Sequence, residues 1–221
     1  MKKIGMIMTP DLAEKTHQGL KTVTRRTITP QPGRAKIGTT PWNWQHSQRG
    51  RIVAESEESL MRLIARWSPW RPGQIRSIKE THWRWGKHER NAKGNWYFNA
   101  YSHCNPIIFS EPVSCHQVEK PHLGYHKISA LFLPYDLART HIKILSVRPE
   151  RLQDIDNTDI LLEGITPLEG EPPGDDPWDD FEVCYVQAFR ELWDPINGKK
   201  HPWVNNDYVW RYEYKKVEKP E

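Results

Sequence analysis

The chain has 221 residues, a mass of 26.1 kDa and a formal net charge of +4, from 32 Lys and Arg against 28 Asp and Glu. This balance permits an anionic partner but not a general polyanion coat. Only 37% of residues are hydrophobic and the mean hydropathy is −0.80, so the core is modest for the length and no run approaches the roughly 18 apolar residues that span a bilayer.

The opening "KKIGMIMT" reads as a short buried strand. It has no adequate apolar core and no small-residue cleavage site for a secretory signal, so a cytoplasmic protein is expected. Cys104, Cys115 and Cys184 are odd in number and widely spaced, which fits a reducing compartment without a disulfide framework. "TPDLAEKTHQG" predicts a helix with Thr9 as N-cap, Pro10 at the first helical position and Gly19 as the stop.

Residues 29–50, rich in Pro, Gly and Thr, predict a loop with at most one short strand. "SEESLMRLIARW" predicts a helix capped by Ser56, with Leu60, Ile64 and Trp67 on one face. After a Pro72-Gly73 turn, "QIRSIKETHW" predicts a strand. Residues 84–126 are polar, with scattered aromatics and His, and read as an insertion on the core.

"ISALFLP" and "THIKILSVRPERL" predict strands, the second with Ile142 and Ile144 alternating with Lys143. "RLQDIDNTDILLEGI" predicts a turn and a short helix, and the acidic stretch 166–180 a solvated loop. "FEVCYVQAFRELWDPI" is the clearest helix, placing Phe181, Tyr185, Ala188, Phe189, Leu192 and Trp193 on one face. "DYVWRYEYKKV" predicts a closing strand with Trp210, Tyr212 and Tyr214 on one side. Separated strands with few helices predict one α+β domain over 1–221, a small barrel flanked by helices.

The segment "GLKTVTRRTI" crowds Lys21, Thr24, Arg25 and Arg26 just after the first helix. A Lys desolvated beside two Arg has a lowered pKa and can serve as a base. A Thr hydroxyl beside such a base is an activated nucleophile. Residue chemistry alone favours a solvated basic turn, where cations suit the helix C-terminus.

Glu80 stands at a strand end beside His82 and Trp83, as a site carboxylate or an exposed strand residue. Glu163 stands at a helix end beside Gly164, as a site carboxylate, a cation's partner or a surface residue. His103-Cys104 and Cys115-His116 carry zinc-ligand types but not the usual knuckle spacing, so they read as polar loop residues and no metal is expected. No P-loop, GxGxxG, GxSxG or HExxH occurs, which argues against triphosphate hydrolysis, Rossmann cofactors and metalloprotease chemistry. Aromatic and basic residues interleave in "WSPWRPGQIRSIKETHWRWGKHER", a pattern that suits stacked bases and phosphates, or simply a Trp-filled core.

The run "GLKTVTRR" resembles the GxKxxxxR signature of the ASCH-domain family, within the PUA-like superfamily. "RPGQIRSIKETHW", "LFLPYDLARTHIKILSVRPERLQDI", "LLEGI" and "FRELWDPINGK" with "WVNNDYVWRYEYKKV" resemble further family blocks in the same order. The phage and prophage branch is the most similar.

The resemblance implies a PUA-like β-barrel and, as in compact bacterial members, hydrolysis of the acyl group from N4-acetylcytidine without cofactor or metal. It implies Lys21 as base, Thr24 as nucleophile and Glu163 as the orienting carboxylate, with Glu80 the other carboxylate candidate. Arg26, Glu80, Trp83 and Arg139 fall on substrate-binding positions, and donors near Arg25 or the backbone would hold the oxyanion. The partner so implied is an acylated cytidine nucleoside or nucleotide, with RNA as a further one and no membrane. A non-catalytic RNA- or DNA-binding module is the alternative.

Overall fold

The computed structural model describes residues 5–34, 42–46, 50–101, 107–112, 122–166 and 177–220, with backbone alone for His46 and residues 177–184. In chain order the elements are β1 (Met6–Ile7), α1 (Pro10–Gln18), β2 (Val23–Thr27), β3 (Gly33–Arg34), β4 (Trp42–His46), β5 (Gly50–Ala54) and α2 (Glu57–Ala65). There follow β6 (Ile75–Lys79), β7 (His82–Arg90), β8 (Trp96–Ala100), β9 (Gly124–Ile128), β10 (His141–Arg151), α3 (Asn157–Leu162), α4 (Pro177–Asn197) and β11 (Tyr208–Val217). Hydrogen-bonded neighbours run β1-β6-β10-β11-β2 in one sheet, β3-β4-β5 in a second and β8-β7-β9 in a third. The class is α+β. The closed barrel that the resemblance implies does not form: among the described residues the sheets stay open.

The chain divides into two compact units. The first comprises Met1–His17, Arg76–Ile142 and Val217–Glu221. In it β1 lies parallel to β6, with Met6 opposite Ile78. Met6, Met8, Ala13, Ile78, Leu133 and Ile142 are buried. Central β7 pairs antiparallel with β8 and β9, so the stretch expected to be a polar insertion is largely a three-stranded sheet. Its side chains alternate between polar and aromatic types rather than apolar and polar, which hides a strand from a hydrophobicity pattern.

"ISALFLP" is not a strand. Ser129 caps a 3-10 turn over Ala130–Phe132, accepting from the Leu131 N–H. Ala130 and Leu133 point inward, whereas Leu131 and Phe132 are exposed, a spacing of three rather than two.

The second unit comprises Gln18–Ile75 and Lys143–Lys216. Here β2 pairs antiparallel with β11, Thr24 opposite Tyr212 and Arg25 opposite Arg211. The 29–50 stretch holds more strand than its composition predicts: β3 and β4 lie within it and, with β5 from Gly50 onward, form an antiparallel sheet in which Trp42 and Trp44 are buried. The Trp44 indole N–H donates to the Pro30 carbonyl at 2.7 Å, and its ring meets Trp210 edge-on. Helix α2 begins as expected, with the Ser59 N–H donating to the Ser56 hydroxyl at 3.2 Å. Leu60 and Ile64 bury its inner face.

Helix α4 packs the expected stripe. Ala188, Phe189 and Trp193 are buried against Leu152, Ile155, Ile160, Ile165 and Val209, with Tyr185 and Leu192 alongside. Phe189 stacks on Trp193 and meets Trp203 edge-on, and the Trp193 indole donates to the His201 carbonyl at 2.7 Å. The helix starts at Pro177, inside the stretch expected to be loop. Phe181 lies among the side chains outside the description, as does the 167–176 part of the acidic stretch. Trp210, Tyr212 and Tyr214 of β11 are all buried, as the alternation predicts.

Phe189→Ala removes a ring from the centre of this cluster. Urea denaturation is expected to show a loss of about 3–5 kcal/mol, whereas Leu161→Ala, at an exposed position of α3, is expected to stay within about 0.5 kcal/mol of the parent.

Candidate functional site: a buried ion network around Lys21 and Arg25

Two segments of the second unit build the site, residues 21–26 and helix α3. Asp156 caps α3, accepting from the Asp159 N–H at 2.7 Å. The helix ends at Glu163, and Gly164 turns away with φ 78°, the left-handed conformation in which a Cβ would be strained. Asp159 and Glu163 are four apart and share one helix face.

A short helix leaves its last carbonyls without partners. Here the Thr22 N–H donates to the Leu162 carbonyl at 2.8 Å, and Lys21 Nζ donates to the Glu163 carbonyl at 3.0 Å. A cation at this end also suits the helix dipole.

Lys21 is buried, with 1% of its surface exposed. Its ammonium has three N–H donors, and three acceptors surround it: the Val23 carbonyl at 2.8 Å, the Glu163 carbonyl and the Glu163 carboxylate. Burial is the main influence on its pKa and pulls it below the usual 10.5; Glu163 opposes that pull, and the neighbouring Arg26 and Arg25 charges add to it. The Val23 carbonyl belongs to the peptide whose nitrogen is that of Thr24, so Nζ sits against the backbone carrying the Thr24 side chain. Thr24 is 5% exposed, and among the described residues its hydroxyl makes no side-chain hydrogen bond.

Arg25 occupies the other side of the same carboxylate. Its guanidinium donates to Glu150 at 2.8 Å, to Glu163 at 3.2 Å and to Asp159. Asp159 also receives a bidentate pair from Arg211, at 2.8 and 2.6 Å. Three buried cations, Lys21, Arg25 and Arg211, thus face three carboxylates, Glu150, Asp159 and Glu163, and at the rim the exposed Arg148 reaches Glu150 at 2.8 Å while Glu213 stands 3.8 Å from Arg211.

The sequence predicts a cationic cluster. The structure supplies a neutralised one, because apolar surroundings cannot hold three unpaired cations. Arg25, expected near an oxyanion, is committed to carboxylates.

Strand alternation separates two faces of β2. Arg25, paired with Arg211, points toward the ion network. Thr24 and Arg26, opposite Tyr212 and Trp210, point the other way. Tyr212 packs against Trp70 at 4.6 Å and shares a 2.8 Å hydrogen bond with Ser68. Burial is also the main influence on Arg26, lowering its pKa, while Glu163, Tyr214 and Tyr212 oppose it.

The remaining predicted site residues lie in the first unit. Glu80 is fully buried and takes a bidentate pair from Arg139, at 3.0 and 2.8 Å. Arg139 also reaches Glu14 at 2.7 Å and lies over the Phe109 ring. Trp83 is buried, its backbone bridged to Ile108. His103, Cys104, Cys115 and His116 fall outside the described residues, among which no His, Cys, Asp and Glu group has a metal-binding arrangement. Also among them, no helix is long and apolar enough to cross a membrane.

Asp159, Glu150 and Arg211 escape sequence reasoning. The D-x-x-x-E spacing in "TDILLEG" is the signal that could have pointed to Asp159. Nothing local points to Glu150 or Arg211, whose places follow from strand pairing. Comparison with protein-family models, curated proteins and solved structures finds no match for the chain.

Burial raises the Asp159 pKa, but the hydrogen bonds and charges of Arg211 and Arg25 outweigh it and bring it from 3.8 to about 2. A carboxylate depressed on folding contributes stability above its unfolded pKa. That contribution, about 2 kcal/mol, is expected to fall away as pH drops from near 4 toward 2. Denaturant titrations over this range should show the loss in the parent and a flatter profile in Asp159→Asn. That variant also starts lower at neutral pH, because Arg25 and Arg211 lose their shared partner.

Proposed function

We propose that this chain is an ASCH-type, PUA-like amidohydrolase, with open sheets, that removes the acyl group from N4-acylated cytosine nucleosides in the cytoplasm. One observation carries the reading: a fully buried lysine, its pKa lowered by that burial, is held on a carboxylate and on the peptide that carries a threonine three residues away. A lysine that loses its proton more readily than usual suits a general base.

In this reading Lys21 acts in its unprotonated form, having lost a proton to solvent, and the Glu163 carboxylate orients its amine. The Thr24 hydroxyl gives its proton to Lys21, and its oxygen attacks the acyl carbonyl carbon. The C–N4 bond of the tetrahedral intermediate breaks, and Lys21 returns the proton to N4 as cytidine leaves. Water then attacks the acyl-threonine ester by the same proton route, releasing the carboxylic acid and restoring the Thr24 hydroxyl. Arg26 shares the Thr24 strand face and serves as the substrate clamp. The scheme needs no metal.

A second reading, a non-catalytic nucleic-acid-binding module, is favoured by the occupation of all three Lys21 donors, which also suits a purely structural lysine. Incubation with N4-acetylcytidine, followed by chromatography for cytidine, separates the two. The expected result is turnover in the parent and losses on the order of 10³-fold or more for Thr24→Ala and for Lys21→Arg. A guanidinium keeps the charge but cannot act as a base.

The parent kcat/KM should rise with pH to a plateau reached below 10.5, since the base works unprotonated and burial lowers its pKa. An active Lys21→Arg enzyme would refute the base assignment. A parent without turnover moves the conclusion to the binding module.

A further inference from the structure

Two histidines of the first unit are buried in the same way. His82, which opens β7, and His141, which opens β10, have 0% and 2% of their surface exposed. His82 Nδ1 lies 3.2 Å from the Glu80 carbonyl, and the His141 ring bonds the Tyr135 carbonyl. A carbonyl only accepts, so the bonded nitrogen carries the hydrogen in each ring. The other nitrogen, Nε2, is a bare acceptor while the ring is neutral. Among the described residues Nε2 has no hydrogen-bond partner in either histidine. A second proton would sit on that nitrogen, withdrawn from water and with nothing to accept from it.

The charges nearby do not offset this cost. At His82, Arg84 follows on the same strand, with His126 of β9 opposite it. The Glu80 carboxylate is taken by Arg139, which also pairs with Glu14 of α1. At His141, Lys219 repels a positive charge and Asp136 attracts one. Lys79 of β6 is turned to the Leu131 carbonyl at 2.9 Å, and Lys143 of β10 is exposed. Burial is the main influence on both rings and lowers both pKa values from the usual 6.5. Arg84 adds to that pull at His82 and Lys219 at His141; Glu80 opposes it at the first, the Tyr135 carbonyl and Asp136 at the second. His201 of the second unit is arranged the other way, with the Asp207 carboxylate 2.6 Å from its ring.

Each histidine lies against a surface segment. The Phe109 ring packs 6.4 Å from the His82 ring, and Ile108 bridges Trp83. The Tyr135 ring meets His141 edge-on at 4.9 Å, and Lys219 donates to the Asp136 carbonyl at 3.1 Å, which ties the C-terminal tail to the same 3-10 turn. We propose that His82 and His141 form an acid-sensitive latch: neutral, they hold the 107–112 and 130–141 segments in place, and protonation in mild acid releases them. A histidine held neutral by the fold contributes stability above its unfolded pKa, and that contribution is lost as pH falls below it toward the folded value. Within that window each proton taken up on opening multiplies the opening constant about tenfold per pH unit. Asp159 titrates at about 2, outside the window. The latch stands independently of the amidohydrolase reading and requires no turnover.

The test is hydrogen–deuterium exchange of the full chain, read by mass spectrometry at about pH 7.5 and about pH 5.5 and corrected for the intrinsic exchange rate. Peptides covering 107–112 and 130–141 are expected to lose about tenfold in protection at the lower pH, and those of α4 to keep theirs. His141→Asn keeps a donor for the Tyr135 carbonyl but does not titrate, so it should abolish the loss over 130–141 alone. His82→Asn should abolish it over 107–112 alone. Lys219→Ala, at an exposed position, should shrink the loss over 130–141 without abolishing it.

Circular dichroism checks that each variant folds. If either Asn variant does not, an NMR titration of the parent's imidazole protons carries the test, with both rings expected to titrate below 6.5. Midpoints at or above that value would overturn the proposal. So would equal protection at both pH values, a loss shared equally by α4, or an acid response that persists in the Asn variants.

Discussion

A lysine ammonium withdrawn from water is stable only where protein acceptors replace every lost hydrogen bond and a carboxylate balances its charge. Lys21 meets both conditions through the Val23 and Glu163 carbonyls and the Glu163 side chain. Much of the second unit is arranged to permit this. Helix α3 must end at Glu163, so Gly164 takes a left-handed conformation and Thr22 and Lys21 satisfy the last carbonyls. Arg25 lies on the other side of the Glu163 carboxylate and donates to it at 3.2 Å. Arg25 in turn requires Glu150 and Asp159, and Asp159 requires Arg211.

Such a network is self-consistent but unforgiving. A balanced buried set contributes little net stability over an apolar replacement, whereas removal of a single member leaves an uncompensated charge and costs about 3–5 kcal/mol. Its value here is positional. The β2–β11 register puts Arg25 on the network side and Thr24 with Arg26 on the aromatic side, so one five-residue strand serves both. The lysine that precedes the strand reaches the backbone between those two roles. Its altered proton affinity is chiefly a consequence of burial, moderated by Glu163, with the two arginines that stand out in the sequence adding the smallest contributions.

Helix signals were legible because their chemistry is local. Ser56 caps α2, Gly19 ends α1, and the period of Tyr185, Ala188, Phe189, Leu192 and Trp193 defines the buried stripe of α4. The strands β3 and β4 were hidden by the Pro, Gly and Thr around them, which outweigh the brief Trp42–Trp44 alternation, and β7 to β9 by polar and aromatic alternation. "ISALFLP" failed in the opposite direction: it is apolar enough for a strand, but Ser129 caps a 3-10 turn that buries every third residue. Of the candidate site, residue type and position singled out Lys21, Thr24 and Glu163 as candidates, and only the resemblance gave them roles. The three-way commitment of Arg25 was not legible.

By itself the sequence determined the α+β class, the capped helices, the buried faces of α4 and β11, and the placing of a lysine, a threonine and two arginines within six residues. These follow from propensities and periods that act over one or two turns of chain. Only the tertiary structure decided that the sheets stay open and that the basic motif is neutralised rather than cationic. It also decided that Glu80 is bound to Arg139. Each of these depends on partners brought together from distant segments. Which charge meets which is set by strand register and helix termination, and composition carries no record of either.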